Sequence, residues 1–252
     1  MKYLPKPSII LSISFISPFL AVFGLASNGS AQPTDARPAI LVAGPKSLIN
    51  VLDAQRIMKR GQKDAVVSFS LGITSWGDPA GMLTYQGSPD SKILSQELLD
   101  QADRAKFIPA RYAGQPAGAI VNGTLVFAIV NGTPRLRLFL NQDREHLKRG
   151  DDFVAPQWII PINATTKWFD SDRYYREEGG MVAARINVDA HGKLQSSKVM
   201  RVHPSGAPFG MEVAKHIGAI VFSPAYLNGR PVACSTTWLI PFSGPYGRKR
   251  WL

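Results

Sequence analysis

Phe107-Ile108-Pro109-Ala110, followed by Gly114 and Pro116, recurs as Phe222-Ser223-Pro224-Ala225, followed by Gly229 and Pro231. The offset is 115 residues, from 107 to 222. Carried outward without gaps, it sets Val67, Phe69, Leu71 and Ile73 on Val182, Ala184, Ile186 and Val188. Both runs alternate with period two, the pattern of a half-buried strand. Gly77 falls on Gly192, where a turn would close that strand. Leu94, Leu98, Ala102 and Ala105 fall on Phe209, Val213, Ile217 and Ile220, at the spacing of one helical face. Leu125 and Phe127 fall on Ile240 and Phe242, at the end of a last strand.

Agreement of strand period, turn glycine, helical stripe and turn motif at one offset is far harder to obtain by chance than any one of them. The sequence therefore predicts an α+β fold of two tandem β-β-α-β modules over residues 65–128 and 180–243. Each would be a small antiparallel sheet with a helix packed on one face. Modules of this size, about 64 residues, make thin cores and favour packing against a neighbour. Pro109 and Pro224 stop the helical region, and the Gly-x-Pro that follows sets a turn into the last strand.

The flanking segments read differently. Residues 32–64 form a lead segment, with a short amphipathic helix expected over 47–58. Residues 129–179 read as a linker, in which the alternation of residues 135–140 behind Asn131-Gly132 suggests a continued or extra strand. Within it, residues 143–152 are balanced in charge and read as a solvated spacer. At the amino terminus, Lys2 and Lys6 precede an apolar run over residues 9–26 and a small-residue ending at Gly29-Ser30-Ala31. This is the layout of a signal peptide spanning residues 1–31, with an uncleaved anchor as the alternative. Either way the remainder is expected outside the cytoplasm, in the periplasm of a bacterial cell. The single Cys234 cannot form an internal disulfide and reads as a small core residue.

Charge is uneven. The chain carries a formal net charge of +11, and residues 180–243 hold six basic and two acidic side chains. A basic tail over residues 244–252 adds Arg248, Lys249 and Arg250. Such a half is drawn to anionic envelope polymers, lipid headgroups or an acidic protein. No groove-reading motif accompanies the charge, and nucleic acid is not an expected partner outside the cytoplasm.

Residues 180–242 resemble the TonB carboxy-terminal domain family. The likeness runs through Gly180-Met181-Val182, Ile186-Asn187-Val188-Asp189, Gly192-Lys193, Ser205-Gly206, the Phe222-Ser223-Pro224-Ala225 turn, Gly229-Arg230-Pro231 and Trp238-Leu239-Ile240-Pro241-Phe242. Residues 65–128 share the turn and periodicities as a divergent second copy, with Gly123 where Trp238 stands. The resemblance implies a three-stranded sheet with a helix on one face, working by binding a protein rather than by chemistry. In that family the last strand is an edge able to accept a peptide from an outer-membrane transporter. Unpaired backbone groups on an edge are satisfied by an added strand. The corresponding edge here is Cys234–Phe242, with residues 119–127 as a second candidate. The partner-binding residues implied are Ser235, Thr236, Thr237, Leu239 and Arg230, together with Tyr174 and Tyr175, which replace the family's Tyr-Pro pair before the first strand. The family's transducers carry an amino-terminal anchor with a histidine and a long Pro-rich spacer. Neither is present here, so an adaptor is expected rather than a transmitter of force.

No catalytic set, cofactor site or metal site emerges from the residues. His146, His191, His203 and His216 lack metal-ligand spacing; His191, in the hairpin turn, and His216, on the polar side of the helix, read as solvated, and His146 and His203 are no better placed. The pairs Asp151-Asp152 and Glu177-Glu178 read as exposed charge in a linker rather than as an acid and base. Three readings thus stand: an exported adaptor binding protein by strand addition, a module binding anionic envelope material through its basic half, and an enzyme of unrecognised type.

Overall fold

The computed structural model describes residues 36–162 and 180–242, all within the compact unit spanning residues 31–252. The chain enters through β1 (Ala36–Arg37) and β2 (Ile40–Leu41), then α1 (Leu48–Val51) and α2 (Ala54–Lys59). The single helix expected over residues 47–58 is thus two. Leu52 is extended, and Asp53 starts the second helix by accepting a 2.9 Å hydrogen bond from the Arg56 amide, the ordinary work of an N-cap aspartate. Both helices bury one large apolar residue, Leu48 and Ile57, against the first core.

Next come β3 (Ala65–Ile73), β4 (Pro79–Gly87), α3 (Lys92–Gln101), β5 (Phe107–Ile108), β6 (Ala110–Tyr112), β7 (Gln115–Val130) and β8 (Thr133–Phe139). A short α4 (Arg144–Leu147), β9 (Phe153–Val154) and β10 (Trp158–Ile160) follow. The last set is β11 (Gly180–Val188), β12 (Leu194–His203), α5 (Phe209–His216), β13 (Val221–Phe222), β14 (Ala225–Leu227), β15 (Arg230–Val232) and β16 (Cys234–Phe242). The fold is α+β, and its paired strands run antiparallel.

The registers repeat at the offset found in the sequence. β3 lies on β7 from Ala65↔Phe127 to Ile73↔Ala119, and β11 on β16 from Gly180↔Phe242 to Val188↔Cys234. The β3–β4 ladder shifts between Ser68 and Phe69, and the β11–β12 ladder between Ala183 and Ala184. Gly77 (φ +80°) and Gly192 (φ +81°) each close their hairpin against the backbone carbonyl of Phe107 or Phe222, where a Cβ would collide. Left-handed backbone in that confinement requires glycine.

Each half has its own core. In the first, α3 lays Leu94 and Leu98 on the Val67, Phe69, Leu71, Leu125 and Phe127 face, and Ala102 and Ala105 extend the stripe through a 3-10 turn. In the second, α5 lays Phe209 and Val213 on the Val182, Ile186, Trp238 and Ile240 face, extended by Ile217 and Ile220. The two cores solve one packing problem with opposite volumes. Phe69 opposes Gly123 across β3–β7, whereas Ala184 opposes Trp238 across β11–β16. A Cβ on Gly123 would fall 2.3 Å from Phe69 Cζ and 2.8 Å from the Phe139 carbonyl oxygen, closer than either contact allows.

Two expectations are corrected. Residues 119–127 are not an edge, because β7 is flanked by β3 on one side and on the other by β10 at residues 118–120 and β8 at 124–130. Nor are the described residues of the 129–179 segment a bare spacer. β8 folds back on β7 through Asn131 (φ +51°) and Gly132 (φ +75°), a two-residue hairpin turn with both central residues left-handed. β9 pairs with β14, and β10 bridges β7 to β13, so this segment joins the two halves. Even within 143–152, His146 is buried at 6% exposure. Balanced charge misled because the segment's few apolar groups, Phe153 above all, are enough to dock it.

Candidate functional site

β16 is positioned by β11 alone among the described strands, in the order β12–β11–β16. Its alternation is resolved as the sequence pattern requires. Thr236, Trp238, Ile240 and Phe242 are buried toward α5, while Ser235 is exposed and Thr237 and Leu239 are half-buried on the opposite face. The direction of the backbone follows from two contacts. Gln142 Nε2 donates to the Thr237 carbonyl at 3.1 Å, and Asn122 Nδ2 donates to the Leu239 carbonyl at 3.3 Å. Those carbonyls therefore face away from β11. In an antiparallel ladder a residue's N–H and C=O share a side and alternate along the strand, so Ser235, Thr237 and Leu239 all present N–H outward. Thr236 points inward to Ile186. Pro241, in the same outward register, has no N–H to offer.

Arg185 closes the exposed face of β16. Its Nε donates to Ser235 Oγ at 3.0 Å, and its Nη1 to Thr237 Oγ1 at 3.3 Å and to Asp143 Oδ2 at 3.1 Å. Asp143 is also the N-cap of α4. The charge pair ties the connecting segment to the second sheet, and being partly exposed it is worth at most about 1 kcal/mol.

Beneath the edge lies a polar seam built on the helix-free face of the first sheet. Ser70 opposes Asn122 across β3–β7, and Ser68 opposes Thr124. Thr124 Oγ1 donates to the Asn141 carbonyl at 2.8 Å. Tyr85 donates its hydroxyl to Gln142 Oε1 and lies 3.3 Å from the Phe69 carbonyl, and burial pushes its phenol above the ordinary range. Four buried side-chain atoms have no partner among the described residues: Ser70 Oγ, Asn122 Oδ1 and both polar atoms of Asn141. A buried polar atom left unpaired costs about 1–3 kcal/mol, and well-formed interiors hold few.

Beside the start of β16, Cys234 Sγ lies 3.9 Å from both ring nitrogens of His146, whose ring meets Phe153 at 4.8 Å. The pair is not an activated thiol. Burial pushes the thiol up to about 11 and holds the imidazole below its ordinary value, so both are neutral near pH 7. A thiol whose folded value is raised stabilises the fold below its ordinary value and loses that contribution as pH climbs toward 11. Accordingly, a maleimide at pH 7 should leave Cys234 unmodified in the native chain and label it fully after unfolding; rapid native labelling would contradict this burial.

Arg230 opens β15 and is exposed, separated from the outward groups of β16 by the β15–β16 junction. Tyr174 and Tyr175, and the tail residues Arg248, Lys249 and Arg250, lie outside the described residues, as does the expected signal peptide. The seam partners Asn122, Asn141 and Gln142 escaped the sequence reading. The only signal for them was a row of polar residues, Ser68, Ser70, Asn122 and Thr124, on strands whose other face is wholly apolar. Among the described residues no helix is long and apolar enough to cross a membrane.

No family model matches the chain, and no curated protein and no solved structure matches it.

Proposed function

We propose that this chain is an exported, TonB-like adaptor made of two copies of one β-β-α-β module, binding a partner protein by strand addition along β16. The shared registers and bulge positions support the duplication. One observation carries the binding mode. The outer side of β7 is met by the chain's own β10 at residues 118–120 and β8 at residues 124–130; at the 115-residue offset these strands would flank Thr237, meeting β16 at Ser235 and from Leu239 onward, and there β16 offers Ser235, Thr237 and Leu239 to a strand from elsewhere. Main-chain pairing would supply affinity, and the pockets beside alternate side chains would supply selectivity. The function is binding without catalysis, with an outer-membrane transporter peptide or another envelope protein as partner.

A second reading has an observation of its own. β12 exposes Lys198 and Arg201 along an open edge, and with the basic tail this suits an anionic polymer or lipid surface. Capture from a periplasmic extract separates the two. A paired protein should remain bound when salt rises from low to moderate strength, whereas polymer held by screened charges should wash off. Loss of all bound material at moderate salt would favour the second reading.

A further inference from the structure

We infer that the β16 edge is regulated from outside the second module, with Asn122 and Gln142 holding it closed as a clasp that an incoming strand displaces. This rests on the strand-addition reading above. Of the outward carbonyls that an added strand would engage, those of Thr237 and Leu239 are already taken by the Gln142 and Asn122 amides. Both donors come from outside the second module: Asn122 from β7 of the first, and Gln142 from the connecting segment just past β8.

The clasp satisfies acceptors only. Among the described residues the outward N–H groups of Ser235, Thr237 and Leu239 receive no acceptor from it, and Asn122 Oδ1, Ser70 Oγ and the Asn141 amide stand unpartnered in the same seam. A peptide backbone carries what both sides lack, alternating donors and acceptors along one line. Its N–H groups would replace the two side-chain amides on Thr237 and Leu239, and its carbonyls would meet the outward N–H groups. The released amides of Asn122 and Gln142 would turn to the orphaned atoms beside them. The partner class is therefore an extended segment rather than a helix or a small molecule, and its binding is coupled to opening of the seam between the halves.

The test uses the full chain with Asn122→Asp and Gln142→Glu together, which keep side-chain shape but replace each donor by an acceptor facing a carbonyl. Asn122→Ala with Gln142→Ala serves as a second pair. Hydrogen exchange should speed up tenfold or more at the Thr237 and Leu239 amides, which the seam covers without bonding, while the Thr236, Trp238 and Ile240 amides stay protected. A synthetic peptide of residues 133–142, the strand paired with β7 prolonged to the register of Thr237, should bind the opened variants about tenfold more tightly than the parent, and adding Thr237→Pro should cancel the gain. Unchanged exchange in folded variants would overturn the clasp and leave the edge reading standing. Faster exchange without tighter peptide binding, or a gain that survives Thr237→Pro, would overturn the inference through failure of the edge reading itself.

Discussion

Gly123→Trp should destabilise the chain by about 3 kcal/mol, near the top of the range for overpacked cores, and Phe69→Ala by about 3–5 kcal/mol as a buried aromatic truncation. Combined in one chain, they should cost less than their sum by at least about 1.5 kcal/mol, because contacting residues couple. The reason is the exchanged volume. Phe69 fills the space above Gly123, as Trp238 fills the space above Ala184, and the two pairs occupy matching places in matching registers. Rescue stays incomplete, since any Cβ at position 123 also presses on the Phe139 carbonyl of β8, 2.8 Å away. Denaturant unfolding of the two single variants and the double measures it. Strict additivity would show that the two halves do not share one packing scheme.

The second large effect is expected at Gln157, where Gln157→Leu should cost about 3 kcal/mol. Gln157 is buried at 2% exposure and clasps Ala39, accepting from its amide and donating to its carbonyl, both at 2.8 Å. Ala39 is fully buried, so leucine would orphan one donor and one acceptor at about 1–3 kcal/mol each. The Gln157 backbone would keep its bonds to Ser223, at 3.1 Å through Oγ and 3.0 Å through the amide. Damage should then concentrate where β1 and β2 are held, and the Ala39 amide, which donates to Gln157 in the parent, should exchange hydrogen much faster in the variant. Ser223→Ala, which removes one of these bonds, should cost only about 1 kcal/mol. Equal effects from the two substitutions would refute the clasp on Ala39.

Legibility in the sequence followed physical locality. Alternation and helical stripes report the environment of each residue in turn, so the strands, the 0, 4, 8 and 11 stripe and the buried set Thr236, Trp238, Ile240 and Phe242 could all be read in advance. Pairing between distant segments leaves no such trace. Nothing local to Trp158 says that β10 lies between β7 and β13, or that its ring packs edge-on to Trp238 at 6.0 Å. The same holds for His146, whose charged neighbours suggested solvent while Phe153 and Cys234 bury it. Of the edge, the sequence carried the strand and its two faces but not its cover, because Asn122 and Gln142 reach it from 117 and 95 residues away. Strand edges expose backbone, and backbone exposure is set by whatever else the fold brings alongside.

Partner capture by Thr237→Pro, set against Thr237→Ala and Thr236→Pro, tests the central claim most directly. Thr237 points its N–H away from β11, so proline there leaves the sheet's own ladder intact and removes only a donor offered to an incoming strand. Alanine keeps that donor and gives up the 3.3 Å contact to Arg185. Thr236 faces Ile186 inside the ladder, so proline at 236 should show its damage by circular dichroism and serves as the control for unfolding. With Thr237→Pro folded as the parent, the account predicts that capture from a periplasmic extract is abolished, while Thr237→Ala captures nearly as the parent does. Capture that survives proline at both Ser235 and Thr237, yet disappears when Arg248, Lys249 and Arg250 are neutralised, would contradict strand addition at β16.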